Sequence, residues 1–192
     1  MSLLRRPVEP SGAQPDVVVV ASVEPSPELA DEDGQPFDAS PWALLAEAVL
    51  RAEGVPGPGE LALAFVGEAA MAELNEEWMG ETGPTDVLSF PLDPFPLDPL
   101  PLDPFPLDVD EGEVPGVPRL LGDVVVCPPV ARRYAEAHGR PVGDELALLV
   151  VHGVLHVLGH DHAEGDEEAA MQAREDLHLR EHHDPRWTRS AS

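Results

Sequence analysis

The sequence predicts an α+β fold in a single domain, with a small mixed β-sheet and helices packed on it, and three observations predict this. Segments of strand and helix character follow the order β α β α β β α α α, with the strands early and the most apolar helix late. A chain of 192 residues holds one domain with a real core and some length left over for tails or inserts. Residues 144–159 are apolar nearly all round, which demands a central position for that helix.

Taken in order, residues 1–15 are punctuated by proline and charge and read as a disordered tail. VVVVASV (17–23) is a strand of buried type, followed by the polar, acidic loop 24–40. WALLAEAVLRAEG follows Pro41 as a helix, with Ser40 the expected N-cap and Gly54 the stop. ELALAFVG (60–67) is a second strand and EAAMAELNEEWMG (68–80) a second helix, again closed by glycine. TDVLSFP (85–91) alternates as a strand, with Val87 and Ser89 on one face and Asp86, Leu88 and Phe90 on the other.

The repeat PLDPF, PLDPL, PLDPF, PLDVD follows, with a five-residue period. Proline every two or three residues forbids helix and removes ladder donors, so 91–114 is expected to be an extended, polyproline-like insertion loop that interrupts a hairpin. LLGDVVVC (120–127) resumes as a strand, and PPVARRYAEAHG (128–139) is a helix with proline in its first turn. In DELALLVVHGVLHVLG, Asp144 is the expected N-cap and Gly159 the left-handed terminator. A last amphipathic helix over 164–181 is expected to turn Ala169, Ala170, Met171, Ala173 and Leu177 inward, with 184–192 left as a tail.

Composition narrows the function classes. No apolar run approaches a membrane span, and MSLLRRPVEP lacks the apolar core of a signal peptide, so the chain is expected to be cytoplasmic with no membrane partner. The single Cys127 excludes an internal disulfide and a cysteine-based metal cage, so a metal must be held by histidine and carboxylates. The formal charge of −26 argues against broad phosphate binding. Residues 1–40 carry eight acids and two arginines, and 91–114 carry seven acids and no base, so half of that charge lies in segments read as non-globular. Lysine is absent and all 11 basic residues are arginine.

The chemistry concentrates in HGVLHVLGHDH (152–162). His152 and His156 stand one turn apart on one helix face, Gly159 ends the helix, and the turn after it can bring His162 round. Three imidazoles that leave a fourth position for water form the catalytic rather than the structural zinc arrangement, and one Zn2+ per chain is expected. Asp161 suits the orientation of a ligand histidine from behind, while His178, His182 and His183 read as solvent-exposed. Zinc proteases place a glutamate after the first histidine to carry a proton to a departing amine, and this chain has Gly153 there. An alkoxide leaving a phosphodiester depends less on such a shuttle, so the site fits phosphoryl chemistry better than peptide cleavage. Asp161, Glu164 or a phosphate oxygen could serve as base, and the catalytic group itself is not identified.

HGVLHVLGHDH, together with LNEEWMGETGPTDVLSFP (74–91) and LGDVVV (121–126), resembles the YbeY family of bacterial endoribonucleases, the rRNA maturation factors. The resemblance runs over roughly residues 16–181 and assigns 16–183 to the endoribonuclease domain. It implies a zincin-like zinc site and metal-dependent cleavage of single-stranded RNA. It also implies maturation of the 3′ end of 16S rRNA, ribosome biogenesis and quality control. The implied partners are rRNA, the small ribosomal subunit with its proteins, and an assembly GTPase. Residue by residue, it places the zinc ligands at His152, His156 and His162, the signature strand beside the cleft at Thr85, Asp86, Ser89 and Phe90, and the following strand at Gly122 and Asp123. Many members carry an arginine important for RNA cleavage where this chain has Met79, which leaves Arg132 and Arg133 as candidate RNA contacts. A second reading, a non-catalytic zinc-containing ribosome-assembly factor, is kept open by Met79 and the acidic balance.

Overall fold

The computed structural model describes residues 17–30, 35–92, 118–160 and 165–189. Readings that fall on the N-terminal segment 1–15, on the repeat, on Asp161, His162 and Glu164, or on the last three residues lie outside the described residues. Four strands form one sheet in the order β1-β2-β4-β3, from β1 (Val17–Val23), β2 (Gly59–Phe65), β3 (Val87–Pro91) and β4 (Arg119–Val126). β1, β2 and β4 are mutually parallel, and β3 runs antiparallel at the edge beside β4. The mixed sheet and the interrupted hairpin are those the sequence predicts, since β3 and β4 flank the repeat and pair directly.

The β2–β4 register jumps from Glu60 opposite Leu120 to Leu61 opposite Gly122, so Leu121 is an extra residue in β4. Gly122 follows with a φ of +153°, and a Cβ on it would collide with the carbonyl oxygen of Phe90 on β3. Glycine is therefore required where the two strands approach.

Five α-helices form among the described residues, α1 (Ser40–Ala52), α2 (Glu68–Met79), α3 (Pro128–Ala137), α4 (Val142–Val157) and α5 (Gly165–His182); α1 and α4 pack on the sheet and α5 on α4. The alternation of β2 buries Leu61, Leu63 and Phe65 in the main core with Val124 and Val126 of β4. Leu45, Val49 and Leu50 of α1 and Val150, Val154 and Leu155 of α4 close over them. Met71, Leu88, Val125, Cys127 and Val130 make a smaller second cluster. At about 25 cal/mol per Å² of apolar area, each fully buried leucine or valine contributes about 1.5–3 kcal/mol, so the helix with the most buried residues fixes the arrangement. That helix is α4, as its all-round apolar pattern predicts.

Several local expectations need correction. α1 begins at Ser40 itself; Ala39 occupies the cap position, and Asp38 Oδ1 accepts from the Ser40 amide at 2.9 Å. α4 begins at Val142, two residues before Asp144, which instead pairs through Oδ1 with His183 Nε2 at 2.8 Å. The buried positions of α5 include Met171, Glu175, His178 and Leu179, while Ala169, Ala170, Ala173 and Leu177 are exposed. His178 is thus a core residue and His183 is hydrogen-bonded, although both read as exposed in the sequence.

The segment after 183 packs back onto the domain through residue 189. Trp187 is buried, donates from Nε1 to Asp176 Oδ1 at 3.1 Å, and has the Arg140 guanidinium 5.7 Å from its ring centroid. Trp187 and Arg189 fasten it, too few and too sparse to show a period: Arg189 pairs with Glu175 and Asp176 of α5, and Arg180 Nε donates to the Trp187 carbonyl at 3.3 Å. Among the described residues no helix is long and apolar enough to cross a membrane.

Candidate functional site

Helix α4 carries His152 and His156 at the end that runs into the Gly159 turn. Gly159 has a φ of +87°, and the amides of Gly159 and His160 bond back to the carbonyls of His156 and Leu155 at 2.9 and 3.0 Å. This left-handed stop is the one the sequence predicts, and it turns the chain away immediately after the second histidine. The two imidazoles lie edge to face with ring centroids 4.4 Å apart. They share a cleft of about 430 Å³ with Met79, Val87, Leu88, Ser89, Pro91, Gly159 and His160.

Gly153 sits between the histidines for a reason of packing. α4 crosses β3 and β4 so closely that a Cβ at 153 would stand 2.5 Å from Val124 Cγ1 and 3.2 Å from Ser89 Oγ. Val124 is fully buried and cannot move aside. No glutamate side chain fits at this position with the helix so placed.

His152 is held from behind. Its Nδ1 donates to Glu175 Oε1 of α5 at 2.7 Å, and Glu175 is only 3% exposed. A carboxylate accepting from Nδ1 fixes the tautomer whose Nε2 carries the lone pair, the arrangement found behind metal-ligating histidines. The donor set therefore fits a borderline-soft divalent metal as far as it is described: two imidazoles one turn apart, one with its tautomer set. Asp161, the carboxylate expected to orient a ligand histidine, lies outside the described residues, while the bond to His152 comes from Glu175. The sequence signal for it is an acid within the stripe 171, 175, 178, 179, a pattern lost when only apolar positions are counted.

The signature strand reaches the site by its alternation. Val87 and Ser89 turn toward α4 and line the histidine cleft, while Leu88 and Phe90 pack in the second cluster. Asp86 Oδ1 accepts from the Val87 amide at 2.9 Å and from Thr85 Oγ1 at 3.2 Å, and its carbonyl accepts from Cys127 N. Thr85 and Asp86 thus shape the turn into β3, with Asp86 also lining a neighbouring pocket of about 320 Å³ beside His152 and Glu175. The exposed Trp78 indole, near the end of α2, meets Phe90 edge on, with centroids 5.5 Å apart. Met79, half exposed, is the next residue and lines the cleft. Gly122 and Asp123 lie behind, opposite Pro91 and Phe90.

Arg132 and Arg133 are not brought to the cleft lining. Both are exposed on α3, and Arg133 ion-pairs with Glu68 at the start of α2.

On the other side of the Gly159 turn, Glu53 accepts from Arg174 Nε at 2.8 Å and from His178 Nε2 at 2.5 Å, with His160 Nε2 at 3.5 Å. Burial pushes the Glu53 carboxyl up, but the bonds from Arg174 and His178 outweigh it and hold the group below the usual carboxylate range. Burial, helped by the Arg174 charge, holds His160 below the usual histidine range. Burial also raises the Cys127 thiol to about 11, which makes it an inert core residue rather than a nucleophile.

With this geometry in place, comparison with known proteins is specific. Residues 30–183 match the family model described as endoribonuclease YbeY. The chain is 45% identical over 157 residues to the endoribonuclease YbeY of Salinispora tropica, covering 77% of this chain and 91% of that protein. It is 43% identical over 144 residues to that of Thermobifida fusca, covering 75% and 85%. Identity to that of Mycobacterium tuberculosis is 42% over 154 residues, covering 80% and 81%. The solution structure of TM1509 from Thermotoga maritima shares the fold, with a TM-score of 0.51 at 22% identity over 84% of this chain and 88% of that one.

Proposed function

Because the chain belongs to the endoribonuclease YbeY family, we propose that it is a zinc-dependent endoribonuclease of single-stranded RNA. Its role is in maturing the 3′ end of 16S rRNA and in ribosome quality control, in the cytoplasm and with the small ribosomal subunit as partner. An assembly GTPase is the further partner that the family resemblance implies. The observation that carries the metal reading is His152 and His156 facing one cleft, with His152 locked by the buried Glu175. His152, His156 and His162 would hold the ion. When bound, zinc supplies Lewis-acid stabilisation of the negative charge that builds on a phosphodiester under attack, and it lowers the pKa of water.

The chain's own residues supply the rest. Glu175 fixes the His152 tautomer, and the Ser89 hydroxyl offers a polar contact on the cleft wall. Trp78 presents an exposed indole on which a base can stack, a contact that any nucleobase can make and that needs no phosphate-binding cation. Stacking suits an acidic chain whose cleft lining contains no arginine among the described residues. Gly153 leaves no carboxylate to protonate a departing amine, which is consistent with an alkoxide leaving group and not with peptide cleavage.

The test is cleavage of precursor 16S rRNA fragments by the purified protein, against His156→Ala and a metal-stripped control. Loss of a residue behind a metal ligand typically costs 10–100-fold, so loss of a ligand should cost more than about 100-fold. Re-addition of zinc should restore the wild type alone. Met79 on the cleft wall favours one second reading, an assembly factor that binds zinc and rRNA without cutting. One bound zinc per chain with no cleavage would select it.

A further inference from the structure

Glu175 is a buried carboxylate with both oxygens engaged. Oε1 accepts from His152, and Oε2 accepts from Arg189 Nη2 at 2.6 Å. The same Nη2 lies 3.1 Å from Asp176 Oδ1 and 3.3 Å from the carbonyl of Gln172, so the guanidinium is tied to α5 at three points. Arg189 belongs to the segment that Trp187 fastens to the domain, six residues beyond the end of the family match at 183. A buried carboxylate held at one oxygen only can rotate about its last bonds, whereas one held at both is fixed in plane. Burying that charge also costs several kcal/mol unless a cation answers it.

We infer that Arg189 is a positioning residue for the histidine site. It fixes Glu175, Glu175 fixes the His152 ring, and the C-terminal segment outside the family match thereby sets metal affinity. The neighbouring pocket is not an anion site that Arg189 serves instead, because Asp86, Glu145, Glu168 and Glu175 also line it and would repel one. The inference rests on the metal reading of His152, His156 and His162, and its test separates the two.

Zinc affinity of the full chain is measured by competition with a chromophoric chelator for wild type, Arg189→Met, Arg189→Lys and Glu175→Gln. The imidazole tautomer of His152 is read from long-range 1H–15N spectra of the metal-free proteins. Arg189→Met should weaken zinc by about tenfold, and Glu175→Gln by about tenfold or more, within the range seen for partners behind metal ligands. Arg189→Lys, which keeps the charge and loses the fork, should recover part of the loss. In wild type, His152 should be protonated on Nδ1; in Arg189→Met the signal should become a mixture of tautomers at unchanged helix content. Wild-type affinity and an unmixed Nδ1–H tautomer in Arg189→Met would overturn the inference and leave the metal reading standing. A wild type that binds no zinc would overturn the metal reading and, with it, the effect on affinity. Should Arg189→Met fail to fold, Arg189→Lys decides: affinity and tautomer both equal to wild type would overturn the inference.

Discussion

At the scale of single residues, Met79 stands where the family resemblance implies an arginine. Its side chain is half exposed on the cleft wall beside His152 and His156, with Trp78 next to it. An arginine there would point a fork of donors into the cleft without disturbing buried packing. Met79→Arg should therefore raise cleavage of single-stranded RNA by roughly tenfold, the factor equivalent to about 1.4 kcal/mol of added transition-state stabilisation from one charge-assisted contact. Initial rates on a short fluorescent oligoribonucleotide measure it, and an unchanged rate with unchanged binding would show that this wall does not face the scissile phosphate.

At the scale of elements, the spacing of α4 from the sheet is set by Gly153. Alanine at 153 gains up to about 1 kcal/mol of helix propensity, but overpacking against Val124 costs about 1–3 kcal/mol. Gly153→Ala should thus lose about 1 kcal/mol in urea unfolding, with Gly153→Glu losing far more; a stabilised Gly153→Ala would mean that the helix can back away. Much of this level is legible in the sequence. The all-round apolar pattern of α4, the alternation of Val87 to Phe90 and the stops at Gly80 and Gly159 all act locally, and they appear as read. Ser40 and Asp144 do not cap their helices: the Ser40 amide is taken by the Asp38 carboxylate and Asp144 pairs with His183. The inner face of α5 differs from the apolar one its sequence suggests because its core positions include Glu175 and His178, which are buried with partners on α4, on the C-terminal segment and after α1. Hydrophobic counting cannot see such a face, and it could not see Gly153 as a packing residue either.

At the scale of the whole molecule, Glu53 joins parts far apart in sequence. It lies just after α1 and gathers His160 behind α4 with Arg174 and His178 of α5. Its folded pKa is held below the ordinary value of 4.5, so its stabilisation is present above that value and is lost as pH falls through the lower folded one. Glu53→Gln should cost about 2 kcal/mol near neutral pH, allowing for the partly exposed Arg174, or about 4–8 °C in Tm for a chain of this size. The gap between wild type and variant should narrow as pH falls below 4.5 and the wild-type carboxylate protonates. Thermal melts across that range measure it; a gap that stays constant or widens on acidification would contradict the sign.

The strand order carries one further consequence, for the nascent chain. β3 leaves the ribosome before β4, yet β4 is its only partner in the sheet among the described residues, and the open side of β2 also waits for β4 at a register of Gly59 opposite Arg119. Two unpaired strand edges are thus present together during synthesis, the condition under which chains aggregate. The residues translated in that interval, 92–118, carry seven acids and no base. Acidic residues flanking a strand that waits for its partner disfavour its association with another chain, so the composition of this stretch bears on the interval before β4 closes the sheet.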